Sequence, residues 1–300
     1  MLHIVDIAKV TGSVTQENSE LENIAGWKEG QIISKTGISK RYLSTISSED
    51  LALKALDSLN DRNNLSDVDL IISVTNTPQV YFPTLANFAH SRLGLKKTCK
   101  CIGINSGCTG FVEAYELVSL YFKNEIYSKA LILTYDTYTH FLNDKDISTR
   151  ALFSDGAAAT LIEKNLDFHS IIESKISSAS DTYQSLIFER GTNEIIMKGS
   201  EVFTFGLKYV KKDLKNMADK YPGSLVILHQ AGKVMIEGLK KALGESFHIP
   251  CNYSEYGNLV STSIPCLLSE NLESFNESKT VIMSGFGVGL SSHTLILNKD

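Results

Sequence analysis

Short apolar runs recur along this chain, separated by longer amphipathic stretches. The runs at 70–75 (LIISVT), 131–134 (LILT), 225–228 (LVIL) and 281–284 (VIMS) read as buried strands, and the stretches between them read as helices. That alternation is the pattern of an α/β fold. The stretch 109–122 (TGFVEAYELVSLYF) is apolar almost all round, which predicts a helix buried on every side. With 300 residues, 43% of them hydrophobic, the chain can bury a sizeable core as one large domain or two small ones. Five prolines and no low-complexity tract argue against a long linker.

The pattern also repeats. Ser128-Lys129-Ala130 leads into LILT, and Ser278-Lys279-Thr280 leads into VIMS, 150 residues later. Cys108 and Asn258 share that offset of 150. A true repeat implies two similar halves, 1–165 and 166–300, packed about a pseudo-twofold axis with equivalent strand ends converging on one site. The alternative is a chance likeness of two α/β segments.

Composition removes several function classes. Acidic residues (34) exceed basic ones (29), for a net charge of −5, so no global basic field awaits nucleic acid or an anionic membrane. No apolar run approaches the ~18–20 residues of a membrane span. Residues 1–10 contain His3, Asp6 and Lys9 and lack the apolar region of a signal peptide. Five cysteines, few and odd in number, fit a cytoplasmic protein with free thiols. Cys99 and Cys101 form C-x-C without a second pair at ligand spacing, so no metal site is expected. There is no phosphate-binding loop and no G-x-S-x-G.

Four places could carry chemistry. Cys108, in INSGCTGF, follows an apolar segment and precedes the long helix. A helix N-terminus favours a thiolate, and Gly107 and Gly110 allow a tight turn, as a nucleophile elbow requires. The bland reading is a buried, inert cysteine. His229 ends LVIL at the carboxyl edge of a strand, where α/β folds place ligands, although a satisfied core histidine looks the same. Asn258, in YGNL, is by itself an ordinary turn residue. The glycines of Phe286-Gly287-Val288-Gly289 would let a backbone N–H approach a carbonyl oxygen, as in an oxyanion hole, or simply make a turn.

Together, SGCTGF, LHQAG, YGNLVSTSIP and FGVG resemble the thiolase superfamily, and within it the ketoacyl-acyl-carrier-protein synthase III type. Lys35-Thr36-Gly37-Ile38-Ser39-Lys40-Arg41, Phe82-Pro83-Thr84 and Phe153-Ser154-Asp155-Gly156-Ala157 also resemble segments of that family, in order along nearly the whole chain. The resemblance implies a five-layered αβαβα fold of two duplicated halves. It implies a homodimer in which Phe82 reaches toward the neighbour's acyl pocket; the volume of the pocket is expected to depend on Phe82, Phe203, Phe205 and Leu186. It implies that Cys108 takes an acyl group from a thioester, with its N–H and that of Gly287 as the oxyanion hole. His229 and Asn258 would hold the thioester oxygen of a malonyl-type substrate as CO₂ leaves. No tightly bound cofactor is implied; acyl-coenzyme A or the phosphopantetheine of an acyl carrier protein is substrate.

This chain departs from the family around coenzyme A. Gln31 stands where the adenine-stacking tryptophan is expected, with Trp27 four residues earlier as a substitute or not. Lys35 replaces an arginine, and Ile147 another, with Arg150 three residues on. These changes point to a donor presented by a carrier protein, or to coenzyme A bound differently, and to a specialised pathway. A basic patch should dock the acidic carrier, built from Lys233, Lys240 and Lys241 or from Lys208, Lys211 and Lys212. Three other readings remain: an acyltransferase that passes the group to an amine, hydroxyl or other carbon nucleophile with His229 as general base, a non-catalytic partner subunit, and a cysteine hydrolase on another fold, which would leave the HQA and GN segments unexplained.

Overall fold

The computed structural model describes residues 1–189 and 191–299. In chain order the strands are β1 (Leu2–Thr11), β2 (Val14–Glu17), β3 (Lys40–Leu43), β4 (Leu70–Val74), β5 (Lys100–Ile104), β6 (Lys129–Asp136), β7 (Gly156–Lys164), β8 (Ser170–Ser178), β9 (Leu186–Glu189), β10 (Glu194–Met197), β11 (Leu225–Leu228), β12 (Thr280–Gly287) and β13 (Ser291–Asn298). One mixed sheet runs β1-β7-β6-β4-β5 and a second runs β11-β12-β13-β8. In the first, β6 pairs parallel with β4 and antiparallel with β7. In the second, β12 pairs parallel with β11 and antiparallel with β13. The two sheets therefore share one topology, and β5 is an extra edge strand of the first.

Side-chain alternation assigns the layers. On β4, Leu70, Ile72 and Val74 face a middle layer shared with Ile227 of β11 and Met283 of β12. Ile71 turns to the other side, against Leu56 and Leu59 of helix Ser48–Asn60 and Leu85 of helix Leu85–Leu93. Val226, Ile282 and Ile296 turn the opposite way, against Leu214, Ile236 and Leu239 of helices Lys211–Ala218 and Lys233–Leu243. Each such side chain contributes roughly 1.5–3 kcal/mol over exposure, so a slip of one residue in any strand would be heavily penalised. The middle layer holds helices Gly110–Phe122 and Ser263–Glu270, with Phe111, Tyr115, Ile264 and Leu267 in a single core. The five layers are helix, sheet, helix, sheet, helix, and the helix expected over 109–122 lies at the centre, buried on most sides but not all: Leu120 is 53% exposed. No helix among the described residues is long and apolar enough to cross a membrane.

The repeat is real in the backbone, with a register other than 150 at its centre. The 3₁₀ turn Gly107–Thr109 precedes the first central helix, and the 3₁₀ turn Val260–Thr262 precedes the second. Their first residues, Gly107 and Val260, have φ of 51° and 53°. The structural counterpart of Cys108 is thus Ser261, and the matching offset of Cys108 and Asn258 reflects no equivalence.

Candidate active site

Cys108 sits where the chain leaves β5 and turns into the buried helix. Gly107 makes the turn possible, because its left-handed φ suits glycine and a Cβ there would lie 2.1 Å from Asn76 Oδ1. The cysteine is only 4% exposed. Burial, then the nearby Asp136 carboxylate, push its thiol up to about 12, while the Val288 and Cys108 backbone N–H groups pull the other way. Desolvation therefore outweighs the thiolate preference expected of a helix N-terminus.

The loop after β12 closes over the sulfur. A Cβ on Gly287 would come 2.8 Å from Cys108 Sγ, so glycine is the residue that permits the approach. The backbone N–H of Val288, beside that of Cys108 itself, acts on the sulfur. Gly287 thus supplies the space beside the sulfur.

His229 follows β11 and is 1% exposed, its backbone N–H donating to Ser284 O at 2.9 Å. Its ring stands edge-on to Phe286, centroids 5.4 Å apart. Nδ1 is buried without a hydrogen-bond partner. Burial holds this imidazole neutral, drawing its pKa down to about 3. Asn258 is fixed by a β-bridge to Phe153: it donates to Leu152 O at 2.9 Å and accepts from Ser154 N–H at 3.0 Å. Its Oδ1 accepts from Val260 N–H at 2.9 Å, which leaves the amide NH₂ as the free donor.

Cys108, His229, Asn258 and Gly287 line one cavity of about 180 Å³. Phe203 lines it too, and the exposed Lys35 and Lys233 stand at its rim. Phe205 does not: it is buried in the core against Tyr209. The two phenylalanines lie two residues apart at the end of helix Gly199–Phe205, roughly 200° around its axis, so one faces the cavity and the other faces away. Phe82 is 86% exposed and lines no cavity with the other site residues. Trp27 lies beside Ile147 in a separate cleft with Asp144 and Lys145, and Lys35 Nζ sits 5.0 Å from the centre of its ring. Arg150 pairs with Asp144 at 3.2 Å, away from the cavity.

Asp136 escaped the sequence reading. Fully buried, its Oδ1 accepts from Asn76 N–H at 2.8 Å, and its Oδ2 accepts from Ser261 Oγ at 2.5 Å. It ties the Cys108 side of the site to the turn that fixes Asn258. Burial lifts its pKa to about 6 against the pull of those hydrogen bonds. The signal was available: Asp136 ends an apolar strand just as His229 does. Arg41 is also wholly buried and donates to Asn18 Oδ1 at 2.7 Å and to Ala151 O at 3.4 Å, bracing the segment that bridges Asn258.

Known proteins share this architecture along its whole length. Residues 102–180 match the family described as 3-oxoacyl-[acyl-carrier-protein (ACP)] synthase III, and residues 224–299 match that family's C-terminal part. The chain is 31% identical to the beta-ketoacyl-[acyl-carrier-protein] synthase III of Streptococcus sanguinis (strain SK36), covering 93% of this chain and 94% of that protein. It is 30% identical to the protein of the same name from Limosilactobacillus reuteri (strain DSM 20016), covering 99% of both. A crystal structure of a 3-oxoacyl-(acyl-carrier-protein) synthase III superposes with a TM-score of 0.88 at 26% identity, over 99% of each chain. With the thiolase-like layers, the cysteine elbow and the histidine and asparagine on one cavity, these likenesses lead to one conclusion: the chain belongs to the 3-oxoacyl-[acyl-carrier-protein] synthase III family of condensing acyltransferases.

Proposed function

We propose that Cys108 takes an acyl group from a thioester, and that His229 and Asn258 then hold a malonyl-type thioester as it decarboxylates and condenses to a 3-oxoacyl product. The observation that carries this reading is the placement of all three side chains on one cavity. In the first step Cys108 Sγ attacks the thioester carbonyl. A new C–S bond forms, the old one breaks, and the thiol proton leaves with the pantetheine sulfur. The Val288 and Cys108 N–H groups suit the oxyanion of this step. In the second step the C–CO₂ bond breaks and its electron pair forms an enolate. The enolate oxygen accepts from the neutral imidazole and the Asn258 amide. The enolate carbon attacks the acyl carbonyl, and Cys108 sulfur leaves and takes up a proton. An imidazole held near 3 is a weak base but a competent donor, which favours condensation over transfer to an amine or hydroxyl.

The same reading includes the partners. An acyl carrier protein, after which the relatives are named, presents the thioester in the cytoplasm. Lys35 and Lys233 at the rim suit an acidic carrier, whereas Lys240 lies 3.7 Å from Glu237. Ile147 in place of an arginine, and a Trp27 ring already covered by Lys35, favour the carrier over coenzyme A as donor. A second copy of the chain would cover the edge strand β5 and the exposed Phe82. A division of the halves at 165/166 suits the connection between β7, which ends at Lys164, and β8, which starts at Ser170.

The test is intact-protein mass after incubation with acyl-coenzyme A and acyl-carrier thioesters, with Cys108→Ala as control. An adduct on the unaltered protein alone, followed by CO₂ release from malonyl thioester, supports the reading. An adduct without CO₂ release would make the protein a non-condensing acyltransferase.

A further inference from the structure

The two-step scheme, on which this inference rests, raises a question of space. The second thioester must reach His229 and Asn258 through the cavity that the first one used. The acyl group on Cys108 has to be parked elsewhere in the meantime. A second cavity of about 310 Å³ lies across the Gly287–Val288 link, lined by Asn76, Asn105, Tyr138, Leu186, Ile195 and Val288 among others. Leu186 lines both cavities. Tyr138 packs in the same cluster as Cys108, and Asn76 abuts Gly107 beside it.

The part of the lining that abuts Gly107 is polar and hydrogen-bonded. Tyr138, 3% exposed, donates its hydroxyl to Asn76 Oδ1 at 3.0 Å. Asn76 Nδ2 donates in turn to Asn105 Oδ1, and Asn76 N–H is anchored on Asp136 at 2.8 Å. Donor counting leaves specific capacity over. Tyr138 Oη has lone pairs to accept with, and the Asn76 and Asn105 amide NH₂ groups have hydrogens to give. A plain alkyl chain would use none of these. An oxo group could use only the donors, and an ammonium only the acceptor. A hydroxyl uses both.

We propose that the acyl group carried by Cys108 is a hydroxyacyl group, its hydroxyl read by Tyr138, Asn76 and Asn105 in this second cavity. A site built to hydrogen-bond a substrate hydroxyl rejects the analogue lacking it by up to about 10⁴–10⁵-fold when fully enclosed. Asn105 is exposed, so water can replace part of that recognition here, and roughly tenfold is expected.

The test is a competition between butyryl and 3-hydroxybutyryl pantetheine thioesters, read as the ratio of the two Cys108 adducts by intact-protein mass. A hydroxybutyryl adduct favoured by about tenfold or more, with the ratio collapsing toward one in Tyr138→Phe, supports the proposal. Asn76→Ala should shift the ratio the same way, and thermal melting of both variants reports whether they fold. Equal labelling, a butyryl preference, or a ratio that survives Tyr138→Phe overturns the proposal and leaves the acyl-cysteine reading standing. No adduct from either thioester removes that reading, and the proposal with it.

Discussion

Two turns occupy the same place in the two halves and do opposite things. Gly107-Cys108-Thr109 and Val260-Ser261-Thr262 each lead from the end of a loop into a central helix, with nearly equal φ at the first residue. The first presents a sulfur to the cavity. The second gives its hydroxyl to Asp136 and its leading N–H to Asn258. The backbone is shared and its use is divided: one copy holds the sulfur, and the other braces Asn258. The bulk at the two positions differs for the same reason. Gly107 faces Asn76 with no room for a Cβ, while Val260 carries a β-branched side chain in a conformation that ordinarily excludes one.

The sharpest way to break this comparison is to move the sulfur. Cys108→Ala should abolish acyl adducts altogether, and adding Ser261→Cys should not restore them, because that side chain points to Asp136. Recovery of an adduct in the double variant, by intact-protein mass, would make the two turns interchangeable. Next in size are the donors. His229→Ala and Asn258→Ala should each slow CO₂ release by about 10²–10³-fold while Cys108 still acylates; equal losses in both steps would assign them to the first. Smaller again is the steric contrast. Gly107→Ala should destabilise by about 2–4 kcal/mol in chemical denaturation, from its positive φ and the crowded Asn76. Val260→Gly should stay within about 1 kcal/mol of the parent, since relief of strain offsets lost burial.

A separate effect is expected in acid. His229 and His169 have folded pKa values drawn by burial down to about 3 and 4, below the ordinary 6.5. Groups depressed in this way bind fewer protons folded than unfolded, so their contribution is present above 6.5 and lost as pH falls through that window. Asp136, raised to about 6 by burial, acts in the opposite sense as pH rises from its ordinary 3.8. The melting temperature should therefore fall as pH drops below 6.5, and His229→Gln should make the slope shallower. A steeper slope in that variant would contradict a neutral buried imidazole.

Much of this was legible in the chain. The four apolar runs became the strands β4, β6, β11 and β12, and Cys108, His229 and Asn258 each sit in a short motif whose neighbours shape them. Three features were hidden, for different reasons. Val288 acts through its backbone N–H, which leaves no mark in residue identity. Asp136 acts across 125 residues of sequence, on Ser261, and only the packed halves bring them together. Phe203 and Phe205 are both expected on the pocket, yet helical rotation sends the two apart. The shared offset of Cys108 and Asn258 was a numerical accident inside a true duplication.

Asp136 has a consequence for how such a chain can evolve. Its carboxylate belongs to one half, but its hydrogen-bond partners belong to both: Thr75, Asn76 and Thr77 on one side, Ser261 on the other. Recombination that exchanges an entire half with a relative's must deliver a hydroxyl at 261 to meet a carboxylate already in place. The outer helices are under no such obligation. Inheritance of this site is therefore joint: the two copies are free to drift at their periphery and bound to each other at the seam.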